Sequence, residues 1–87
     1  MADLLNDYRK TIDNLDDAII KFLNLRLHYC WFVRKYKRDN NIKNVCDPIR
    51  EQQIIDRLKE KEEFEGLVET IWPAIFDFAK RIEKSEK

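Results

Sequence analysis

The chain has 87 residues, a length that allows one domain, and 44% of them are apolar, a fraction that excludes compositional disorder. Its 17 Lys and Arg balance 17 Asp and Glu, so net charge gives no general attraction to nucleic acid or to an anionic membrane. No apolar run is long enough for a transmembrane helix and Met1-Ala2-Asp3 does not begin a signal peptide, so we expect a single cytoplasmic domain over residues 1–87.

The first predicted helix runs from Asp3 to about Arg38, because this stretch contains neither glycine nor proline. Its apolar residues recur every three or four positions, which is the spacing of one helix face. At 1.5 Å per residue the helix is about 54 Å long, whereas a compact chain of this size has a radius of gyration of about 12 Å. We therefore expect this face to pack against a second copy in a two-fold dimer. We call it the apolar stripe; it consists of Leu5, Tyr8, Ile12, Leu15, Ile19, Phe22, Tyr29, Val33 and Tyr36.

Two further helices are predicted in the rest of the chain. Turn-forming residues at 39–44 end the first helix, and Asp47-Pro48 starts the second, with Asp47 as the N-cap. The second helix runs to about Lys61 and carries on one face Glu51, Ile54, Ile55 and Leu58. The third helix follows residues 62–66, and Pro73 within it predicts a kink or a later start. Its apolar face consists of Leu67, Val68, Ile71, Trp72, Ile75, Phe76, Ala79 and Ile82.

Charged residues occur inside these apolar rows. Arg26 takes the stripe position between Phe22 and Tyr29, and Lys37 lies on the same side of the helix about 16 Å further along. Desolvating a cation costs several kcal/mol unless it has a partner. Two readings stay open: an internal ion-pair network that fixes helix register, or a pocket of cations that binds a small polyanion. The network would join Arg26 or Lys37 to Glu51, Asp16 or Glu83.

Other reactive residue types give no recognisable site. His28 has no Cys or acidic partner at metal-ligand spacing, and no glycine-rich phosphate loop or nucleophilic triad can be assembled. Two cysteines, Cys30 and Cys46, are too few for a disulfide scaffold, so we expect buried or idle thiols in a reducing cytoplasm. The basic run at 34–38 continues a helix and is balanced by acids elsewhere, which disfavours a nucleic-acid site.

An ordered set of residues resembles the all-helical chorismate mutase family. It comprises the segment Tyr8–Asp16, then Arg26, then Lys37, then Asp47-Pro48-Ile49-Arg50-Glu51, and the similarity covers about residues 4–84. The resemblance implies an all-α fold of three helices, one very long, interlaced as a homodimer with two identical sites built from both chains. The implied activity is the isomerisation of chorismate to prephenate in aromatic amino-acid biosynthesis, without a cofactor or a metal.

The resemblance also assigns roles to basic residues. Arg9 of the partner chain and Arg26 would clamp the two carboxylates of chorismate. Lys37 would donate to the ether oxygen and a carboxylate, and Arg50 would support the carboxylate side. Lys37, Arg26 and Glu83 are the predicted catalytic residues.

Acidic and polar positions complete the implied site. Asp47, through its backbone, and Glu51 would hold the ring hydroxyl of chorismate. Glu83 would lie beside the ether oxygen, where it can donate a hydrogen bond only while protonated, so activity should fall as Glu83 ionises at rising pH. Ala79 stands where the family commonly has a small hydroxyl residue, which removes one hydrogen bond to the substrate.

Two alternatives to the mutase stay open. Isochorismate-pyruvate lyase shares the fold and also clamps a dicarboxylate, and incubation with isochorismate would distinguish it by formation of salicylate and pyruvate. The second alternative is a non-catalytic helical dimer or regulatory module, in which Arg9, Arg26 and Lys37 would fix register by pairing with Glu51 and Asp16.

Overall fold

The protein consists of three helices joined by short connections. The computed structural model describes residues 2–43 and 47–84, with the side chains of residues 2, 83 and 84 outside the described part. The helices are α1 (Ala2–Asp39), α2 (Pro48–Lys59) and α3 (Leu67–Lys84), and residues 2–43 and 47–84 contain no strand. The predicted all-α class is therefore confirmed. No helix in these ranges is both long and apolar enough to cross a bilayer.

Helix α1 extends one residue beyond the prediction at each end and finishes in a Schellman motif. The backbone N–H of Ile42 donates to the carbonyl of Lys37 at 2.8 Å, and that of Asn41 donates to Arg38 at 3.2 Å. Asn41 takes the left-handed conformation that this motif requires, with φ of 58°. Asparagine tolerates this conformation better than most residues, so the chain turns sharply here without a glycine.

Helix α2 begins as predicted and ends earlier. The Asp47 carboxylate accepts a hydrogen bond from the backbone N–H of Arg50 at 3.0 Å, which makes Asp47 the N-cap before Pro48. The predicted end at Lys61 is wrong by two residues. The N–H of Lys61 bonds the carbonyl of Leu58 at 2.8 Å, a tight turn that stops the α-helical pattern at Lys59.

Helix α3 starts directly after Gly66. Gly66 has φ of +89°, which a side chain would disfavour, and the Glu62 carboxylate accepts from the N–H of Val68 at 2.9 Å. These two features place the first residue of α3 at Leu67. The later start that Pro73 suggested is therefore wrong. Pro73 lies inside the helix, where it cannot donate to the carbonyl of Glu69, and the helix continues on both sides of it.

A further link joins the end of α2 to the start of α3. Lys59 Nζ lies 3.0 Å from the Glu69 carboxylate, and both side chains are exposed. The hydrogen bond to Glu69, together with its negative charge, raises the pKa of Lys59 above 10.5. A surface pair of this kind contributes little to stability, so α3 is held mainly by packing.

Helix α3 packs against both α1 and α2 and carries most of the small core. Among the side chains that the structure describes, the buried apolar residues are Ile54, Val68, Phe76 and Ala79. The molecule measures 60 × 29 × 15 Å and has a radius of gyration of 16.8 Å. A compact chain of this length would have about 12 Å, so α1 extends well beyond the body that α2 and α3 cover.

The apolar stripe of α1 is open to solvent in a single chain. All nine of its side chains, from Leu5 to Tyr36, are between 49% and 64% exposed. Two residues of the predicted apolar face of α3, Leu67 and Ile71, are also exposed, at 45% and 44%. A single chain therefore leaves much of its patterned apolar surface uncovered.

Candidate active site

The three helices line an open cavity of about 480 Å³, a volume within the usual range for small-molecule sites. Helix α1 forms one wall, the start of α2 a second, and the middle of α3 the third. The lining side chains are Arg26, Tyr29, Cys30, Val33, Lys37, Asp47, Arg50, Glu51, Ile54, Phe76, Ala79 and Lys80.

Five of the residues predicted to bind substrate line this one cavity: Arg26, Lys37, Asp47, Arg50 and Glu51. On α1 the helical repeat explains the arrangement, because positions three or four apart share a face and carry Arg26 and Lys37 to the same side. On α2 the N-cap sets the register, which places Glu51 one turn into the helix.

Arg26 is held in place by two neighbours. Its guanidinium carbon lies 5.7 Å from the centre of the Phe76 ring of α3, a cation–π contact. One guanidinium nitrogen also lies 3.7 Å from Cys30 Sγ, a weak hydrogen bond within α1. Arg26 is half-buried, and the remaining N–H groups of its planar fork match the geometry of a carboxylate.

Asp47 and Cys30 both line the cavity. The Asp47 side chain is engaged as the N-cap of α2, which suits the expectation that only its backbone meets a substrate. Cys30, predicted to be a buried or idle thiol, is a half-buried free thiol that lines the cavity beside Arg26. Cys46 lies outside the described residues.

Glu51 is paired with a residue that the sequence interpretation did not single out. Lys80 Nζ of α3 lies 3.2 Å from Glu51 Oε2, and the two side chains are only 31% and 27% exposed. The ion-pair hypothesis instead gave Glu51 the partners Arg26 or Lys37. One signal could have found this lysine: it follows Phe76 by four residues and Ala79 by one, on the face of α3 that meets α2.

The other residues named in the sequence analysis are less directly connected with the cavity. Arg9 is exposed on α1, 17 residues before Arg26 and thus about 26 Å away, so it does not reach the cavity of its own chain. Asp16 is exposed as well. Glu83 is in the last turn of α3, and its side chain lies outside the described part. Ala79 is buried and lines the cavity.

The charges around the cavity suit an anion. Four cationic side chains line it, Arg26, Lys37, Arg50 and Lys80, against the two carboxylates of Asp47 and Glu51. The wall therefore carries two positive charges in excess, which matches a ligand with two carboxylates.

Comparison with known families gives a match over most of the chain. A family model described as chorismate mutase type II matches residues 8–84. The chain belongs to this family. No curated protein and no solved structure gives a significant match to the chain.

Membership in the chorismate mutase family gives the cavity its chemical context. The match includes all seven predicted site residues, from Arg9 to Glu83, together with most of α1 and the whole of α2 and α3. The family resemblance read from the sequence is thereby confirmed. The roles given to individual side chains stay predictions.

Proposed function

We propose that this chain catalyses the rearrangement of chorismate to prephenate in a cavity that a second copy of the chain completes. The observation that carries the proposal is the convergence of Arg26, Lys37, Arg50 and Glu51 on one cavity in a member of the chorismate mutase family. An excess of positive charge at this cavity favours binding of a small dicarboxylate.

The proposed reaction suits a site without a nucleophile. The rearrangement is intramolecular and pericyclic: the ether C–O bond breaks while a C–C bond forms within the same molecule. The enzyme must hold the compact conformer and stabilise the negative charge that grows on the ether oxygen. Arg26 binds a carboxylate through its planar fork, while Lys37 places a point charge near the ether oxygen.

The polar end of the cavity binds the ring hydroxyl. Glu51 accepts a hydrogen bond from it, and the backbone near Asp47 supplies a second contact. Arg50, in the first turn of α2, adds positive charge on the carboxylate side. Ala79 contributes shape alone, so the site has one polar contact fewer than relatives with a hydroxyl side chain there.

A second copy of the chain supplies Arg9. In an antiparallel pair centred on the middle of α1, between residues 20 and 21, position 9 of one helix lies opposite position 32 of the other. Position 32 is level with the midpoint between Arg26 and Lys37. The same pairing would cover the exposed apolar stripe, and a groove of about 420 Å³ between α1 and α3 offers further apolar surface at Leu23 and Phe78.

An assay of the purified chain with chorismate tests this function. We expect prephenate to form, without added metal or cofactor, at a rate far above the uncatalysed one. In a parallel reaction with isochorismate we expect neither salicylate nor pyruvate. Salicylate and pyruvate without prephenate would assign the chain to the lyase reaction, and no turnover of either compound would leave a non-catalytic helical dimer as its function.

A further inference from the structure

The Glu51–Lys80 pair joins two walls of the cavity. Glu51 extends from the first turn of α2, Lys80 extends from α3, and their charged atoms are 3.2 Å apart. Both side chains line the cavity and are less than one-third exposed. A charged pair in this position lies within reach of whatever the cavity binds.

We propose that Lys80 is a positioning residue, which holds the Glu51 carboxylate in the orientation that binds the ring hydroxyl of the substrate. The inference rests on the proposed mutase function and extends it by one residue. Lys80 acts through Glu51 and does not itself take part in bond making or breaking.

Glu51 needs such a partner because it borders two cavities. The second cavity, of about 320 Å³, lies between α2 and α3 and is lined by Glu51, Gln52 and Asp77 among others. Of these two cavities, Lys80 lines the larger, cationic one. A glutamate has three rotatable side-chain bonds, so without Lys80 its carboxylate can turn toward the second cavity. The ion pair keeps the carboxylate on the side where substrate binds.

The pair also leaves Glu51 able to bind a hydroxyl. Lys80 contacts Oε2, and a carboxylate has a second oxygen with its own lone pairs to accept from the substrate. In addition, Lys80 offsets the negative charge of Glu51 beside a dianionic substrate, which that charge alone would repel. The single contact with Lys80 thus both orients the Glu51 carboxylate and offsets its charge.

A double-mutant cycle tests the proposal. The variants are Lys80→Met, Glu51→Gln and the combination, assayed with chorismate. We expect Lys80→Met to raise KM by about ten-fold with a smaller change in kcat, because hydroxyl binding is made in the ground state as well as the transition state. In the Glu51→Gln background the same substitution should add less than about two-fold, because the two residues act as one unit. Lys80→Arg should restore most of the lost affinity.

Arg81→Met provides the matched control. Arg81 is the next residue of α3, is exposed, and lies 5.9 Å from the Phe78 ring outside the cavity, so its loss should leave KM unchanged. Circular dichroism checks that each variant is folded. Lys80→Gln replaces the methionine variant if that variant is unfolded, with the same non-additivity expected.

Several results would overturn the inference. They are unchanged kinetics in Lys80→Met, a fall in melting temperature without a change in KM, and effects of the two substitutions that simply multiply. If the unaltered chain turns over chorismate and any of these occurs, only the role of Lys80 is wrong. If the unaltered chain does not turn over chorismate, the proposed function is wrong and this inference with it.

Discussion

The two halves of α1 have different environments although they form one continuous helix. From Asp3 to Asp17 every side chain is exposed, whereas the second half packs against α3 and forms one wall of the cavity. Both halves carry the same apolar spacing. Apolar periodicity therefore marks a surface suited to burial without saying which chain would bury it, and the excess length of the helix is what favours a second copy.

The predicted site residues of α1 are also divided between its two halves. Arg9 belongs to the exposed half, and the residues that line the cavity belong to the packed half and to α2 and α3. A single chain thus has a cavity lined by most of the predicted substrate-binding residues, but not by Arg9. The predictions that follow test the packed half first, then the exposed half, and then the end of α3.

The largest effect is expected at Lys37, in the packed half. Replacement by Met keeps the length of the side chain and removes the charge proposed to stabilise the ether oxygen, so kcat should fall by about 10²–10³-fold. Lys35→Met is the control, because Lys35 is exposed and pairs with Asp39. Steady-state assays of prephenate formation measure both. A fall of less than three-fold at Lys37 would remove it from the mechanism.

In the exposed half, Ile12→Asp should break the proposed dimer. Ile12 lies in the apolar stripe and is 55% exposed in one chain, and the substitution would bury an unpaired carboxylate twice in a two-fold interface. We expect the dimer dissociation constant to rise at least about 100-fold and activity to be lost on dilution. Sedimentation velocity measures the association. Asp13→Asn, at the adjacent exposed position, should leave it unchanged, and an unaltered dimer in Ile12→Asp would exclude the stripe as the interface.

The smallest effect concerns Glu83, at the end of α3. Only the protonated acid can donate a hydrogen bond to the ether oxygen, so activity of the unaltered chain should fall as the pH rises and Glu83 ionises. Glutamine donates at every pH, and Glu83→Gln should therefore lose this dependence while its rate stays within about ten-fold. Profiles of kcat against pH compare the two. Identical profiles would mean that Glu83 has no part in the reaction.

Local features of the fold could be predicted from the sequence because they depend on neighbouring residues. The length of α1 follows from an uninterrupted helical pattern, and the start of α2 follows from an N-cap followed by proline at Asp47-Pro48. The sequence placed the end of α2 too late, because the charged residues after Lys59 are good helix formers. In the structure the tight turn at Lys61 ends the helix before them. The start of α3 was uncertain because the cap from Glu62 comes from outside the helix.

The candidate site was predictable to the extent that its residues share one helix or follow a family pattern. Arg26 and Lys37 lie on one face of α1, and Arg50 and Glu51 follow the N-cap of α2. The partner of Glu51 could not be read from spacing, since the distance between Glu51 and Lys80 is set by how α2 packs on α3. Contacts between helices depend on tertiary packing, which periodicity within each helix does not determine.

Complementation between two inactive chains tests the central claim, that each site takes Arg9 from one chain and Arg26 from the other. Arg9→Ala and Arg26→Ala chains are purified separately, unfolded, mixed in equal amounts and refolded. Random pairing makes half of the dimers mixed, and each mixed dimer has one unaltered site, so about a quarter of the original activity should return. Activity that stays at the level of the separate variants would show that Arg9 and Arg26 do not meet across a subunit interface.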